Sequence, residues 1–589
     1  RAFSAPRRVA QATQGPESAP EERSLVSLSS EVSLVSQTLV LSRRPEAAAR
    51  RTQLTCSCPR RRRAFELSTS LLPQPTLLSS PVLLGVGAPT PDDVVAVARH
   101  DALVELTDES IAEMHSSRQV IERLARDVVP HYGVSTGFGA LASKQIPEEQ
   151  RALLQLSLVR SHAASSGPEV EREVIRALML LRLSTLATGR TGVRPVIAET
   201  YAAVLNAGIT PIVGEYGSLG CSGDLAPLAH CALALIGEGR VRDINGVELD
   251  AAVALAAAGI VPVQLREKEG LALINGTDGM LGMLTLAVYD LRALITAADL
   301  AAALSIEGLA GTDTVLADDL QALRPHPGQA TSAANMRAVL AHSGIVATHS
   351  AASFARVQDA YSLRCSPQVH GAVRDTIDYA ALVASRELSS AIDNPVVTRD
   401  GRVESNGNFH GAPVAYVLDF LAIAVADLAS MSERRTDRFL DTNRSHGLNA
   451  FLADDPGVDS GHMIAQYTQA AIVSELKRLA VPASVDSIPS SAMQEDHVSM
   501  GWGAARKLRK SIDGLTRVVA VEILTAARGI DLRAPLAPGP VAAAVIACLR
   551  TRVGGPGPDR YLSPEISSAF DLLRDGSLLG AALSVVDLV

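Results

Sequence analysis

Three long stretches, at roughly residues 411–438, 462–480 and 497–528, are rich in Ala, Leu and Val and carry charges only at intervals. Residues spaced this way line one face of a helix, and that face needs other helices to cover it. A fourth run, 278–308, is apolar but broken by Asp278, Asp290, Arg292 and Asp299, so it reads as a core helix and not a membrane span. Aromatic residues are 3% of the 589, while Ala and Leu dominate, which favours helices over sheets. The expected fold is mainly α, with long helices of the kind that pack in bundles. Shorter helices are expected at 168–188, 194–206 and 225–236. Another starts at Pro147-Glu-Glu-Gln150, presents Leu153, Leu154, Leu156 and Leu158, and ends at Gly167-Pro168. The one β signal is Val396 to Val403, where Asp400-Gly401 suits a two-residue hairpin turn.

Residues 1–80 differ from the rest. They are rich in Arg, Ser and Pro, contain no Lys or Asp, and carry a basic run, Arg60 to Arg63, after Cys56 and Cys58. A transit peptide has this composition; so does a disordered or non-native extension, the reading preferred here, which leaves 81–589 as the folded unit. That unit divides into about 81–308 and 309–589. With 47% hydrophobic residues the chain can bury a large core, and its net charge of −9 offers nucleic acid no footing. Six cysteines without regular spacing point to reduced thiols and a cytoplasmic protein. Lysine occurs only at 144, 268, 477, 507 and 510, none beside a Gly-rich phosphate loop, which argues against pyridoxal phosphate. His326, His410, His462 and His497 have no partner at ligand spacing, so no metal is expected.

The segment with most chemistry is Gly217-Ser-Leu-Gly-Cys-Ser-Gly-Asp-Leu-Ala226. In its centre, Cys221-Ser222-Gly223, the Gly223 nitrogen can attack the carbonyl of residue 221. Loss of water there, and of the Ser222 hydroxyl, would leave a methylidene-imidazolone, a strong electrophile. The attacking residue must be glycine to tolerate the dihedrals of the closing ring. A hydrolase elbow needs Gly-x-Ser-x-Gly, and this loop is one residue short of it. The segment also reads as a helix start, with Asp224 as N-cap of the following helix and Gly237 as its stop. A helix N-terminus would stabilise negative charge on the ring oxygen.

This loop resembles that of the aromatic amino acid ammonia-lyases, and the resemblance runs from about residue 82 to the C-terminus. The family usually has Ala where Cys221 stands; the side chain there does not react. The resemblance implies a mainly helical homotetramer, a central bundle of long helices with a smaller N-terminal region carrying the electrophile loop, with shared active sites, acting on a small amino acid through the methylidene-imidazolone. His131-Tyr-Gly-Val-Ser-Thr-Gly-Phe-Gly139 resembles the mobile lid with the catalytic tyrosine, making Tyr132 the base; it needs positive neighbours or the imidazolone's pull to act near neutral pH. Gln358-Asp-Ala-Tyr-Ser-Leu-Arg364 resembles a site motif, with Ala360 where the family usually has Pro. Gln358, Tyr361 and Arg364 are three apart, so one helical turn would align them, and Arg364 would clamp a carboxylate. Asn275 matches the asparagine beside the imidazolone, with Thr277 left to cap the next helix. Phe409 matches a pocket phenylalanine.

Two positions bear on the substrate. His162, in Leu158-Val-Arg-Ser-His-Ala-Ala-Ser-Ser166, and Glu495, in Ser491-Ala-Met-Gln-Glu-Asp-His497, lie in segments that resemble those of the family members that act on histidine. A carboxylate and an imidazole are costly to bury against a phenyl ring but suit an imidazole substrate. The reaction implied is elimination of ammonia from L-histidine to give urocanate. A tyrosine or phenylalanine lyase, a 2,3-aminomutase, or an inactive helical scaffold are the alternatives.

Overall fold

The computed structural model describes residues 80–350 and 358–589, all within one unit, Phe65–Val589. Apart from Ser80, the expected extension lies outside the described residues. Helices Asp278–Gly308, Ala412–Leu440 and Gly501–Asp531 pack on one another, flanked by Ser366–Leu388 and Met463–Leu479. The long helices thus stand where the apolar stretches place them. Helix 278–308 is buried on nearly every side. By length and composition it and helix 412–440 could cross a membrane, but their most apolar windows are 89% and 61% buried within the protein. The charges that interrupt helix 278–308 have partners. Asp290 accepts two bonds from Arg99 (2.6 and 2.8 Å), and Asp299 meets His370 (2.8 Å) and Arg374 (2.7 Å).

One buried carboxylate ties the three central helices together. Glu522 accepts bonds from Ser305 (2.7 Å), Ser432 (2.6 Å) and Arg435 (2.5 and 2.9 Å), so each helix contributes at one level. A fully satisfied polar cluster of this kind sets the register of packed helices, which apolar contact alone leaves free to slide.

The N-terminal part holds short helices and small sheets. Val82–Leu84 pairs in parallel with Val104–Leu106, and Thr90 and Asp93 form a capping box at the start of helix Pro91–His100. The helix expected from Pro147 begins as a 3-10 turn, Glu148–Gln150, and runs as α-helix only over Arg151–His162. Ser166–Glu169 is instead a strand against Gly214–Tyr216. The next helix therefore starts later than expected, at Arg172. The hairpin at 396–404 exists, but Thr398 and Arg402 still exchange a bond (3.0 Å). Its loop is three residues, closed by Gly401 at φ +79°, and not the two expected.

Candidate active site

Residues 217–224 connect strand Gly214–Tyr216 to helix Leu225–Leu235. The loop is held by its carbonyls. Leu219 O accepts from Met500 N (2.8 Å); Gly220 O accepts from Ser499 Oγ (2.9 Å) and Gly411 N (3.4 Å). The bond to Leu219 accompanies a left-handed Met500 (φ 52°), and the last long helix accordingly begins at Gly501, not near 497. Gly223 bridges Gly276, and Asp224 N donates to Gly276 O (2.7 Å). A Cβ on Gly223 would lie 1.8 Å from that oxygen, and its φ is +79°. Contact and conformation both demand glycine here. The N-termini of four helices, starting at 225, 278, 412 and 501, thus converge on one loop. Their combined positive ends favour negative charge there.

Asp224 does not cap its own helix. Its carboxylate crosses over: Oδ2 accepts from Met280 N (2.8 Å) and Oδ1 from Ser218 Oγ (2.8 Å). It caps helix 278–308, the task expected of Thr277, whose hydroxyl instead donates to Glu387 (2.6 Å). Complete burial pushes the Asp224 carboxyl up to about 7, against the pull of the Met280 and Ser218 bonds. The native state therefore holds this proton more tightly than the unfolded chain, whose reference value is 3.8. Its stabilising contribution is complete below about pH 4 and lost as pH rises through about 7. Asp224→Asn, neutral throughout, should lose less stability over that interval than the parent. Thermal midpoints measured across it check this, and equal slopes for the two proteins would contradict it.

Around the loop the structure gathers several of the expected side chains. Cys221 is 7% exposed, and its thiol donates to Glu495 Oε2 (3.4 Å). Ser490 Oγ donates to the same oxygen (2.9 Å). His162 ends helix Arg151–His162. Its Nδ1 lies 2.9 Å from the Leu158 carbonyl, an acceptor only, so Nδ1 carries the proton and Nε2 is left as an acceptor. Burial pushes this imidazole below its ordinary value, with the Leu158 bond and nearby Glu495 opposing, so it is neutral near pH 7. The Tyr132 hydroxyl accepts from Gly139 N (3.4 Å). Burial raises its phenol; the Gly139 bond opposes, and Glu495 and Asp393 add to the rise. The positive neighbours expected of a base are not supplied around Tyr132 by these residues; the charges that act on it are carboxylates.

Asn275 is 3% exposed and ends helix Glu269–Ile274. Its Nδ2 donates to Asn394 O (3.0 Å), and its buried Oδ1 has no partner among the described residues. Behind it stands a buried ionic cluster. Arg182 pairs with Asp278 and donates to the carbonyls of Ala272 (3.0 Å) and Asn275 (3.1 Å). Lys268 meets Asp393 at 2.5 Å, both fully buried. Phe409 is half-buried in the turn before Gly411, whose N–H holds the loop.

Among the described residues no hydrogen bond or ion pair joins Gln358, Tyr361 or Arg364 to the loop or its neighbours. Nor do they share a helical turn. Tyr361–Arg364 is a four-residue helix, and Gln358 precedes it outside. Tyr361 is 70% exposed, Arg364 stacks over its ring at 4.6 Å, and Arg364 Nε is buried without a partner among the described residues. Of the four histidines weighed as ligands, His462 is a core residue bonded to Thr525 (3.1 Å) and pushed down to about 3, chiefly by burial. His410 and His497 stack in parallel at 5.6 Å, and His326 lies 3.9 Å from Asp375. The described residues contain no metal-competent group of three His, Cys, Asp or Glu.

Sequence reasoning missed Ser490, Ser499, Arg182, Asp393 and the true partner of Asp224. Only Arg182 carried a signal, a lone charge inside Leu178-Met-Leu-Leu-Arg-Leu183.

A mainly helical bundle with a Ser-Gly loop at the meeting of its helix ends defines a class of lyase, and residues 90–551 match the aromatic amino acid lyase family. The chain belongs to that family. It is 65% identical over 503 residues to the histidine ammonia-lyase of Streptomyces griseus, covering 85% of this chain and 98% of that one. It is 64% identical to that of Streptomyces avermitilis, covering 86% and 98%. Among solved structures, a tyrosine aminomutase from Streptomyces globisporus superposes with TM-score 0.81 at 40% identity, covering 87% and 100%. Histidine ammonia-lyase from Trypanosoma cruzi superposes with TM-score 0.79 at 39% identity, covering 86% and 96%.

Proposed function

We infer that this chain eliminates ammonia from L-histidine to give urocanate, with residues 81–589 as the catalytic unit and the cytoplasm as its compartment. The observation that carries the reading is the Glu495 carboxylate seated against Cys221, with His162 neutral beside it. Two imidazole-reading groups at the electrophile loop match the substrate in the names of relatives 64–65% identical. The described cysteines are free thiols, in keeping with a reducing compartment.

The loop fits a methylidene-imidazolone: Gly223 has no room for a Cβ, and the unpartnered Asn275 Oδ1 adjoins Gly276, the residue that bridges Gly223. When formed from Cys221-Ser222-Gly223, the group supplies the electrophile that makes the substrate's nitrogen a better leaving group. The chain's own residues do the rest. Tyr132 Oη takes the β-proton; the C–H electrons become the double bond as the C–N bond breaks. His162 Nε2 and Glu495, both acceptors, each take an N–H of the substrate ring, which binds as the imidazolium, while Asn275 Oδ1 accepts from the amine and Phe409 covers the ring. The converging helix ends favour negative charge at the loop.

The substrate carboxylate falls to Arg364, with Gln358 and Tyr361, supplied by a neighbouring subunit of a homotetramer. Arg364 Nε, without a partner among the described residues, and the exposed Tyr361 support this. An arginine arriving that way also gives Tyr132 the positive neighbour that its own subunit does not. Co-expressing Ser222→Ala with Arg364→Met, each inactive alone, should restore about a quarter of the activity, because random mixing leaves that share of shared sites intact. No recovery in purified mixed tetramers would place both residues in one subunit's site.

The function itself is tested by product analysis with histidine, tyrosine and phenylalanine, combined with intact mass. Urocanate from histidine and a chain lighter by two waters are expected. Turnover of tyrosine without turnover of histidine would overturn the assignment.

A further inference from the structure

We propose that Cys221 and Ser490 are positioning residues that orient Glu495 for the substrate imidazole. The proposal rests on the histidine reading above and assigns the cysteine a task outside the ring chemistry. Both donors end on one atom: Cys221 Sγ lies 3.4 Å and Ser490 Oγ 2.9 Å from Glu495 Oε2. Oε1 accepts no hydrogen bond among the described residues, so it is the oxygen left to face the substrate. An unanchored carboxylate would rotate about its terminal torsion, which is soft. Two donors converging on one oxygen stop that rotation.

The backbone holds the same arrangement. Ser490 and Glu495 form an antiparallel bridge, with Ser490 N to Glu495 O at 3.0 Å and Glu495 N to Ser490 O at 3.4 Å. Between them Ser491, Ala492 and Met493 have φ of 50°, 53° and 70°. Three successive non-glycine residues in the left-handed region are costly, and such strain persists where the surroundings enforce it and a site uses it. Here it closes a tight turn that brings the Ser490 hydroxyl back onto the Glu495 carboxylate five residues on. The strap is fixed on either side by Ser487 Oγ accepting from Val498 N (3.0 Å) and by Met500 N on Leu219 O.

The cysteine suits a donor's role. Burial, and then the Glu495 charge, push its thiol up to about 12, so it keeps its proton near neutral pH and is no nucleophile there. The alanine that the family usually carries at this position has no such proton. A hydroxyl bond to a carboxylate is stronger than a thiol bond, so Ser490 should matter more than Cys221.

The test separates imidazole reading from ring formation. In a Ser222→Ala background, which cannot build the electrophile, L-histidine binding is measured by calorimetry; KM and kcat are measured in the Ser222 proteins. Ser490→Ala should weaken histidine binding roughly tenfold and raise KM more than it lowers kcat. Cys221→Ala should weaken binding about threefold. Ser490→Thr and Cys221→Ser, which keep a donor, should bind like the parent and serve if an alanine variant fails to fold. In a Glu495→Gln background, itself at least about tenfold weaker, the Ser490→Ala effect should shrink, because the coupled partner is gone. Unchanged binding in both alanine variants, with Glu495→Gln still weakened, overturns the positioning role and leaves the histidine reading standing. Unchanged binding in Glu495→Gln overturns the imidazole-reading role of Glu495 itself, and the positioning role with it.

Discussion

Ser222→Ala is expected to cut histidine turnover by at least about 10³-fold, the scale on which loss of a covalent catalyst is felt. The fold should survive. The Ser222 hydroxyl makes no side-chain hydrogen bond among the described residues, so its removal leaves no partner unsatisfied. The loop is held instead by the Leu219 and Gly220 carbonyls and by the contact of Gly223 with Gly276, none of which involves that hydroxyl. Far-ultraviolet circular dichroism and the thermal midpoint should match the parent, while intact mass should show no loss of water. Near-normal turnover in this variant would remove the electrophile from the mechanism.

Arg182→Met is expected to have the largest effect on stability, about 3–5 kcal/mol, because it leaves a buried carboxylate unpaired. Arg182 is fully buried in helix Arg172–Ala187 and is the ion-pair partner of Asp278. Its guanidinium also gathers the carbonyls of Ala272, Asn275 and Ile392, the last at 3.4 Å. Losing it frees the chain that carries Asn275, and a misplacement of about 1 Å at a site can cost 10²-fold in rate. Denaturant midpoints and turnover test both halves. Arg182→Met with Asp278→Asn should recover part of the stability, because no charge is then left unpaired. A double variant no more stable than the single would show that the cost lies in the carbonyl bonds and not in the stranded charge.

Much of the helical framework was legible in the chain. The 278–308 run is a helix over those same residues, because its apolar positions wrap the whole cylinder and nothing but a buried helix satisfies them. Boundaries were less legible where a long-range contact set them. Helix 501–531 starts late because Met500 is bonded to Leu219, and strand 166–169 exists because residues 214–216 are there to pair with it. Capping misled for the same reason. Asp224 looks like the cap of the helix it precedes, yet its carboxylate reaches a different helix 56 residues on. Nor does the sequence show that the charges acting on Tyr132 within its own chain are those of Glu495 and Asp393.

What the linear order determined is chemistry between bonded neighbours and the periodicity of single helices: a Cys-Ser-Gly tripeptide able to close on itself, and apolar spacing that demands a bundle. Both depend on separations of a few residues, where covalent geometry leaves few choices. Tertiary structure alone decided that Glu495 meets Cys221 across 274 positions and which helix Asp224 caps. Hydrogen bonds and burial act over a few ångströms in space. Residues hundreds apart reach that range only through the packing of every helix between them.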